Sequence, residues 1–522
     1  MSHEPVEVFD TTLRDGMQVE GVSATVDDKL RIAEQLDYLG VHFIEGGWPG
    51  ANPKDIEFFV RAGTELRLDT ATMVAFGSTR RPKGKVDDDA TLRNLLDANT
   101  TAVCIVAKSW DYHVLNALQT TLDEGEAMIA DSVAFLTGHG RQVLVDMEHF
   151  FDGYKRNPEF ALRALEAAVV KGASHVVLCD TNGGSLPHEV EAIVTDVHRH
   201  VGGDVIIGIH CHDDTGCAVA NSMAAVKAGA RHVQGTLNGL GERTGNCNLT
   251  TVIPNLQLKL GMPCLPEGRI ERLTAVSHHV AEVLNRPLNP QAPYVGASAF
   301  AHKAGLHVSA IARAKDAYEH VDPELVGNGT RFVVSEMAGR ATIQMKATEL
   351  GLPMDGPAVN QVIDDLKRLE HEGYHFEAAD ASLELLMRRA AGWQQDFFRV
   401  ESMRVITDEV ANGDFTTEAT VKVWVGDQRH VQTAEGNGPV NAIDSAMRAA
   451  IGGSYPLLSK VHLTDYKVRI LDGATATGAT TRVLIDATNG DRSWTTIGVS
   501  PNIIVASWRA LEESLVYGLL HV

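Results

Sequence analysis

From residue 6 to about residue 262, short apolar runs alternate with amphipathic stretches. The runs at 6–10, 41–46, 70–76, 102–107, 142–148, 175–180, 205–210 and 232–237 have the length and near-continuous hydrophobicity of strands buried on both faces. Between them, stretches such as 27–39, 158–171 and 189–201 carry apolar residues at helical spacing. Eight strand–helix units in one run predict an α/β fold, a (β/α)8 TIM barrel rather than an open doubly wound sheet. That barrel is expected over residues 1–267.

The alternation then stops. Residues 268–395 read as helical linker subdomains, with helices expected at 269–284, 358–372 and 379–391. From residue 396 the pattern becomes three β-rich segments followed by a helix, twice over. The first unit runs through 397–407, 417–425 and 430–433 to a helix at 440–451; the second through 460–471, 481–487 and 493–499 to 502–520. Residues 396–522 are therefore expected to form an α+β domain of duplicated βββα units. Each helix opens after a turn rich in Gly, Asn, Ser or Pro, at 435–439 and 498–501, which reads as capping. Free amides at such a terminus also suit a carboxylate ligand.

Candidate chemistry falls at predicted strand ends. His210-Cys211-His212 closes the seventh apolar run, and side chains two apart on a strand share a face. The two imidazoles are thus spaced for one metal ion, with Cys211 pointing away into packing. Alone, such a pair also fits ordinary loop residues. Near the N-terminus, Asp10-Thr11-Thr12-Leu13-Arg14-Asp15-Gly16 sends a permanent cation and a hard oxygen ligand off the first strand together. Gly239-Leu240-Gly241-Glu242-Arg243-Thr244-Gly245-Asn246 adds an amide oxygen. An Asp, two His and an Asn make a mixed N/O donor set suited to a divalent ion of intermediate hardness. Glu148, at the end of the fifth run, is the barrel's best candidate for a general base.

These motifs, in this order, resemble those of the acyl-CoA Claisen condensing enzymes: the 2-isopropylmalate, homocitrate and citramalate synthases. The resemblance spans essentially the whole chain. Glu45-Gly46-Gly47-Trp48-Pro49-Gly50, Asn52-Pro53-Lys54-Asp55 and the string from Tyr318 to Asn328 point to the citramalate synthase branch. The resemblance implies attack of the acetyl-CoA methyl carbon on a 2-oxoacid, then thioester hydrolysis. Pyruvate is the expected 2-oxoacid; the alternative is 2-oxoisovalerate, as in 2-isopropylmalate synthase. It further implies metal ligation by Asp15, His210, His212 and Asn246, with Mn2+ or Mg2+ foremost and Zn2+ or Co2+ also compatible. Arg14 would stabilise the developing alkoxide, while Gln18 and Thr181 join it in binding substrate. His307 and Tyr318 match positions used near the acyl group, offered in relatives by the partner subunit of a homodimer. The C-terminal domain would sense an end-product amino acid, isoleucine if the pathway follows. One position departs from the pattern: many relatives carry Asn where Asp213 stands. A metal-dependent lyase or aldolase on the same barrel is the rival class, and the duplicated C-terminal domain argues against it. A non-catalytic regulatory homologue would need a broken site, and no ligand position looks broken.

Composition narrows the setting. At 522 residues the chain exceeds one core, and no apolar run approaches a membrane span. The opening Met1-Ser2-His3-Glu4-Pro5 lacks a signal-peptide core. Six cysteines without a CxxC pair suggest reduced thiols and a cytoplasmic protein. A net charge of -22 argues against nucleic acid and anionic membranes as partners. Anionic substrates then require local positive charge, from the metal, Arg14 and Lys303. The basic cluster Arg80-Arg81-Pro82-Lys83-Gly84-Lys85 reads as a solvated loop rather than a coenzyme A contact.

Overall fold

The computed structural model describes residues 4–521 apart from 204, 304–309, 312–313, 315–317, 336, 410–414, 473–475 and 477. It divides into two compact units, Met1–Phe300 with His320–Thr330, and Ala301–Glu319 with Arg331–Val522.

In the first unit the eight apolar runs become β1 (Glu7–Asp10), β2 (Phe43–Gly47), β3 (Thr72–Ser78), β4 (Ala102–Lys108), β5 (Gln142–Glu148), β6 (His175–Asp180), β7 (Ile206–Cys211) and β8 (His232–Gly235). They pair in parallel and in sequential order, and β1 closes the barrel onto β8 with Glu7 opposite His232. Helices cover the outer face, so nearly every strand residue is buried; β6 is buried along its whole length. The local sequence starts these helices in recognisable ways. Thr25 and Asp28 form a reciprocal capping box ahead of Val26–Leu39, and Asn52 with Pro53 opens Pro53–Glu65. Phe9, Phe43, Val74, Phe76, Cys104 and Leu144 form a cluster of their own, distinct from the larger barrel–helix core.

The end of β2 is irregular. Its register with β3 shifts between Glu45 and Gly47, and Gly47 adopts φ 146°, where a Cβ would stand 2.8 Å from the Asp55 carboxyl carbon. Only glycine fits there, and the bulge sits beside the cavity described below. Arg80 differs from expectation: it is 4% exposed and pairs with Glu124 at 2.7 Å and Asp131 at 2.8 Å. Its charge is spent holding loop to helix, because a buried guanidinium must find carboxylates.

In the second unit, β9 (Ala301–His302) and β10 (Arg331–Phe332) pair in parallel, followed by helices Arg340–Glu349, Gly356–His371 and Asp380–Ala390. Then β11 (Arg399–Glu409), β12 (Phe415–Val425) and β13 (Gln428–Gly436) form an antiparallel sheet carrying helix Pro439–Ile451. β14 (His462–Ile470), β15 (Thr481–Thr488) and β16 (Ser493–Ser500) repeat the plan with helix Ile503–His521. The duplicated βββα arrangement read from the sequence is present. Alternation explains it: Thr417, Ala419, Val421 and Val423 of β12 are buried, and the alternate positions are not. Asn502 accepts from the Ile504 and Val505 amides, so capping occupies that helix start. Among the described residues, no helix is long and apolar enough to cross a membrane.

Candidate active site

Every sequence-derived candidate in the barrel lies at or just beyond a strand's C-terminal end, the face where βα loops converge. Asp15 and Arg14 follow β1. Asp10, pushed up to about 7 by burial, accepts from the Thr12 amide at 2.8 Å, and Thr12 Oγ1 accepts from Leu237 N at 2.9 Å. The loop after β1 is thereby stitched to the one after β8.

Asp15 Oδ2 lies 3.5 Å from His210 Nε2 and 3.9 Å from His212 Nε2, and all three residues are buried. Burial raises the Asp15 carboxyl, but Arg14 and the two histidines hold it below its ordinary value. Burial also keeps both imidazoles neutral, with His210 down at about 4. The His210 tautomer follows from its neighbours. Gln234 Nε2 donates to Asp146 at 2.9 Å, so Gln234 Oε1 faces His210 Nδ1, at 3.0 Å, and accepts a hydrogen bond from its N–H. His210 Nε2 is left with a lone pair aimed at a carboxylate, an arrangement that calls for a cation.

Asn246 stands opposite His212 across an isolated β-bridge. Asp213 N bonds Gly245 O and Cys247 N bonds Cys211 O, clamping the glycine-rich loop onto the end of β7. Gly245, at φ 99°, passes so close that a Cβ would stand 2.0 Å from Gly239 O. Asn246 Nδ2 donates to Leu240 O, while its Oδ1 is buried without a partner. One carboxylate, two imidazoles and an orphaned amide oxygen fit a divalent metal. Asp213 Oδ1 accepts from Ala218 N at 2.8 Å at a helix start. Cys211 packs in the barrel–helix core, as strand alternation requires.

Arg14 is fixed from two sides. Its Nε donates to Glu45 Oε2 at 2.6 Å, its Nη1 lies 3.3 Å from Asp15, and its guanidinium carbon stacks 3.9 Å from the Phe76 ring centre. Glu45 also receives the Thr11 hydroxyl, and burial raises its pKa despite Arg14. Glu148 ends β5 and is ion-paired with Lys108 from the end of β4; its carbonyl accepts from Ser109 Oγ at 2.8 Å. Thr181 Oγ1 accepts from His149 N at 2.9 Å, leaving its hydroxyl hydrogen to donate. Arg14, Asp15, Gln18, Glu148, Thr181, His210 and His212 line one cavity of about 290 Å³, walled by Trp48, Phe76 and Val106. Trp48 stands edge-on to Phe76 with ring centres 5.4 Å apart. A larger cavity of about 620 Å³ shares Arg14, Gln18 and Trp48 with it and extends past Lys29 and Lys54.

His307 lies outside the described residues. Tyr318 belongs to the second unit and is 48% exposed. Lys108, Asp146 and Gln234 are residues that motif reading passed over, and Glu45 was read only as part of a family string, without its role toward Arg14. Each had a faint signal, a polar side chain set in or ending an apolar strand run.

A family profile described as HMGL-like matches residues 5–280, one described as homocitrate synthase post-HMGL domain-like matches 294–374, and one described as LeuA allosteric (dimerisation) domain matches 377–519. The chain is 54% identical to the (R)-citramalate synthase of Streptomyces coelicolor over 98% of its own length and 96% of that protein's. Against the (R)-citramalate synthase of Aquifex aeolicus the figures are 51%, 99% and 98%. A probable 2-isopropylmalate synthase of Methanopyrus kandleri is 32% identical over 98% of this chain and 97% of that one. With a closed barrel, a duplicated C-terminal domain and full-length likeness, the chain belongs to the (R)-citramalate synthase family of HMGL-like enzymes.

Proposed function

We propose that this protein condenses acetyl-CoA with pyruvate and hydrolyses the thioester, releasing citramalate and coenzyme A. The observation that carries the proposal is the buried convergence of Asp15, His210 and His212 beside Arg14, in a cavity that also presents Glu148 and Thr181. Asp15, His210, His212 and Asn246 would hold a divalent cation, Mn2+ or Mg2+ foremost and Zn2+ or Co2+ compatible. Such an ion supplies Lewis-acid polarisation of the keto oxygen when bound.

The chain's own groups do the rest. Thr181 donates its hydroxyl hydrogen to the 2-oxoacid carboxylate, and the Gln18 amide is the second donor. Glu148 takes a proton from the thioester methyl, and the C–H electron pair becomes the nucleophile that attacks the keto carbon. Arg14, anchored by Glu45 and Asp15, retains Nη2 to stabilise the alkoxide that forms. Water then adds to the thioester carbonyl and coenzyme A leaves as its thiol. His307 and Tyr318 are assigned near the acyl group on family resemblance.

In this reading residues 1–267 are the catalytic barrel, 268–395 the helical linker subdomains and 396–522 the regulatory domain. The profile match at 377–519 supports a homodimer whose C-terminal domain binds an end-product amino acid, isoleucine in this pathway. Six free thiols support a cytoplasmic setting. One assay tests the central claim: coenzyme A release from acetyl-CoA with pyruvate, 2-oxobutyrate, 2-oxoisovalerate or 2-oxoglutarate in parallel. Pyruvate is expected to give the highest kcat/KM. Preference for 2-oxoisovalerate would make the protein a 2-isopropylmalate synthase. Calorimetry with isoleucine, leucine and lysine tests the sensor; no binding by any would leave the domain a dimerisation module.

A further inference from the structure

At the opposite, N-terminal end of the barrel, three ligand-type side chains meet. Glu7 opens β1, His175 opens β6 and His232 opens β8. Branched aliphatic side chains ordinarily fill such a layer, so a carboxylate with two imidazoles there calls for a physical account. Glu7 Oε2 lies 2.7 Å from His175 Nε2 and 3.3 Å from His232 Nδ1, and one donor atom from each residue falls within 4.8 Å of the others. Tetrahedral ligands at about 2.0–2.1 Å from a zinc ion stand roughly 3.3 Å apart. Glu7 Oε2 therefore stands within about 0.7 Å of that spacing from each imidazole nitrogen.

The surroundings favour the same chemistry. The His175 and His232 side chains are 1% and 0% exposed, whereas Glu7 is 28% exposed, which leaves one side open for ion entry and a water ligand. Phe9 lies 5.3 Å from the His232 ring and Phe43 lies 5.7 Å from the His175 ring, holding both ring planes. Ser174 Oγ, 2.8 Å from His175 Nδ1, orients that ring from behind, as partners outside a metal's own ligands do. Burial brings His232 down to about 4, so at neutral pH the ring is neutral with its Nδ1–H donating to Glu7, and an ion bound there would displace that proton. Burial raises the Glu7 carboxyl, yet hydrogen bonds from His175 and His232 keep it well below its ordinary value. A carboxylate with two imidazoles is a donor set that a zinc-like ion accepts.

We propose that Glu7, His175 and His232 form a second, structural metal site for a zinc-like divalent ion, tying β1, β6 and β8 together at the floor of the barrel. It lies at the other end of the strands from the Asp15 set and is independent of the reaction assigned there.

The test uses the full chain, stripped with a chelator, titrated with Zn2+, desalted and counted by elemental analysis. Two equivalents per chain are expected in the parent protein, and one each in Glu7→Gln and in His212→Ala. With Co2+ as probe, His212→Ala should show the visible d–d bands of a four-coordinate site, and His212→Ala/Glu7→Gln should lose them. Zn2+ should raise the melting midpoint of His212→Ala and leave that of the double variant unmoved. His175→Asn stands in if Glu7→Gln does not fold. Uptake by the parent that neither Glu7→Gln nor His175→Asn lowers by one equivalent overturns the proposal.

Discussion

Gln234→Leu is the most discriminating perturbation of the candidate active site, because Gln234 is not itself among the proposed ligands. Its amide spans two buried groups, accepting from His210 Nδ1 at 3.0 Å and donating to Asp146 at 2.9 Å. Leucine fills much of the volume and removes both bonds. The buried Nδ1–H of His210 then lacks a partner, at a cost of about 1–3 kcal/mol shared between folding and ligand geometry. Freed from Gln234, the ring also loses the constraint that keeps its Nε2 lone pair toward Asp15. Loss of such an outer partner ordinarily weakens metal binding about 10–100-fold, or about 1.4–2.7 kcal/mol. Mn2+ titration followed by electron paramagnetic resonance should show that loss, while kcat at saturating Mn2+ falls less than the affinity does. A Gln234→Leu protein that melts cooperatively and binds Mn2+ within about two-fold of the parent would refute the assigned tautomer and, with it, the ligand role of His210.

Three further outcomes are expected. Glu148→Gln keeps the shape and removes the basicity, so deuterium exchange from the acetyl-CoA methyl should fall about 10²–10⁴-fold; parental exchange would move the base elsewhere. Trp48→Ala opens the cavity wall against Phe76, and the 2-oxobutyrate to pyruvate ratio of kcat/KM should rise about 10-fold or more; an unchanged ratio would remove Trp48 from specificity. His232, neutral by burial with a pKa of about 4 against 6.5 unfolded, makes the unfolded chain the stronger proton binder between those values. Its contribution is present above pH 6.5 and is lost as pH falls toward 4, roughly 3 kcal/mol at full extent. Denaturant unfolding of metal-free protein should show less acid sensitivity over that window in His232→Gln, and identical pH profiles would sink the assignment.

How much was legible beforehand depended on how local the cause was. All eight barrel strands were expected within two residues of their ends, since continuous apolar runs bounded by polar turns suffice to mark doubly buried strands. The second unit's strands shifted slightly, from 397–407 to Arg399–Glu409, because an edge strand's ends depend on pairing rather than on its own composition. The expected helix at 269–284 resolved into a short turn at Ile270–Arg272 and a helix at Leu273–Val283. Arg80 was misread for a related reason: a basic run is solvated unless folding brings acids to it, and Glu124 and Asp131 lie more than forty residues away.

The sequence alone determined the period of the elements and the order of the motifs, because these follow from alternation, turn chemistry and local spacing; the grouping of Asp15, His210, His212 and Asn246 was implied by family resemblance. Only closure of the barrel decided which polar groups share a buried space. β1 meeting β8 and β5 facing β8 across the interior bring Gln234 between His210 and Asp146, Glu45 against Arg14, and Glu7 between His175 and His232. Such partners lie tens to hundreds of residues apart along the chain. A buried charge or imidazole takes its tautomer, its pKa and its ligand capacity from whatever the fold sets within a few ångströms of it.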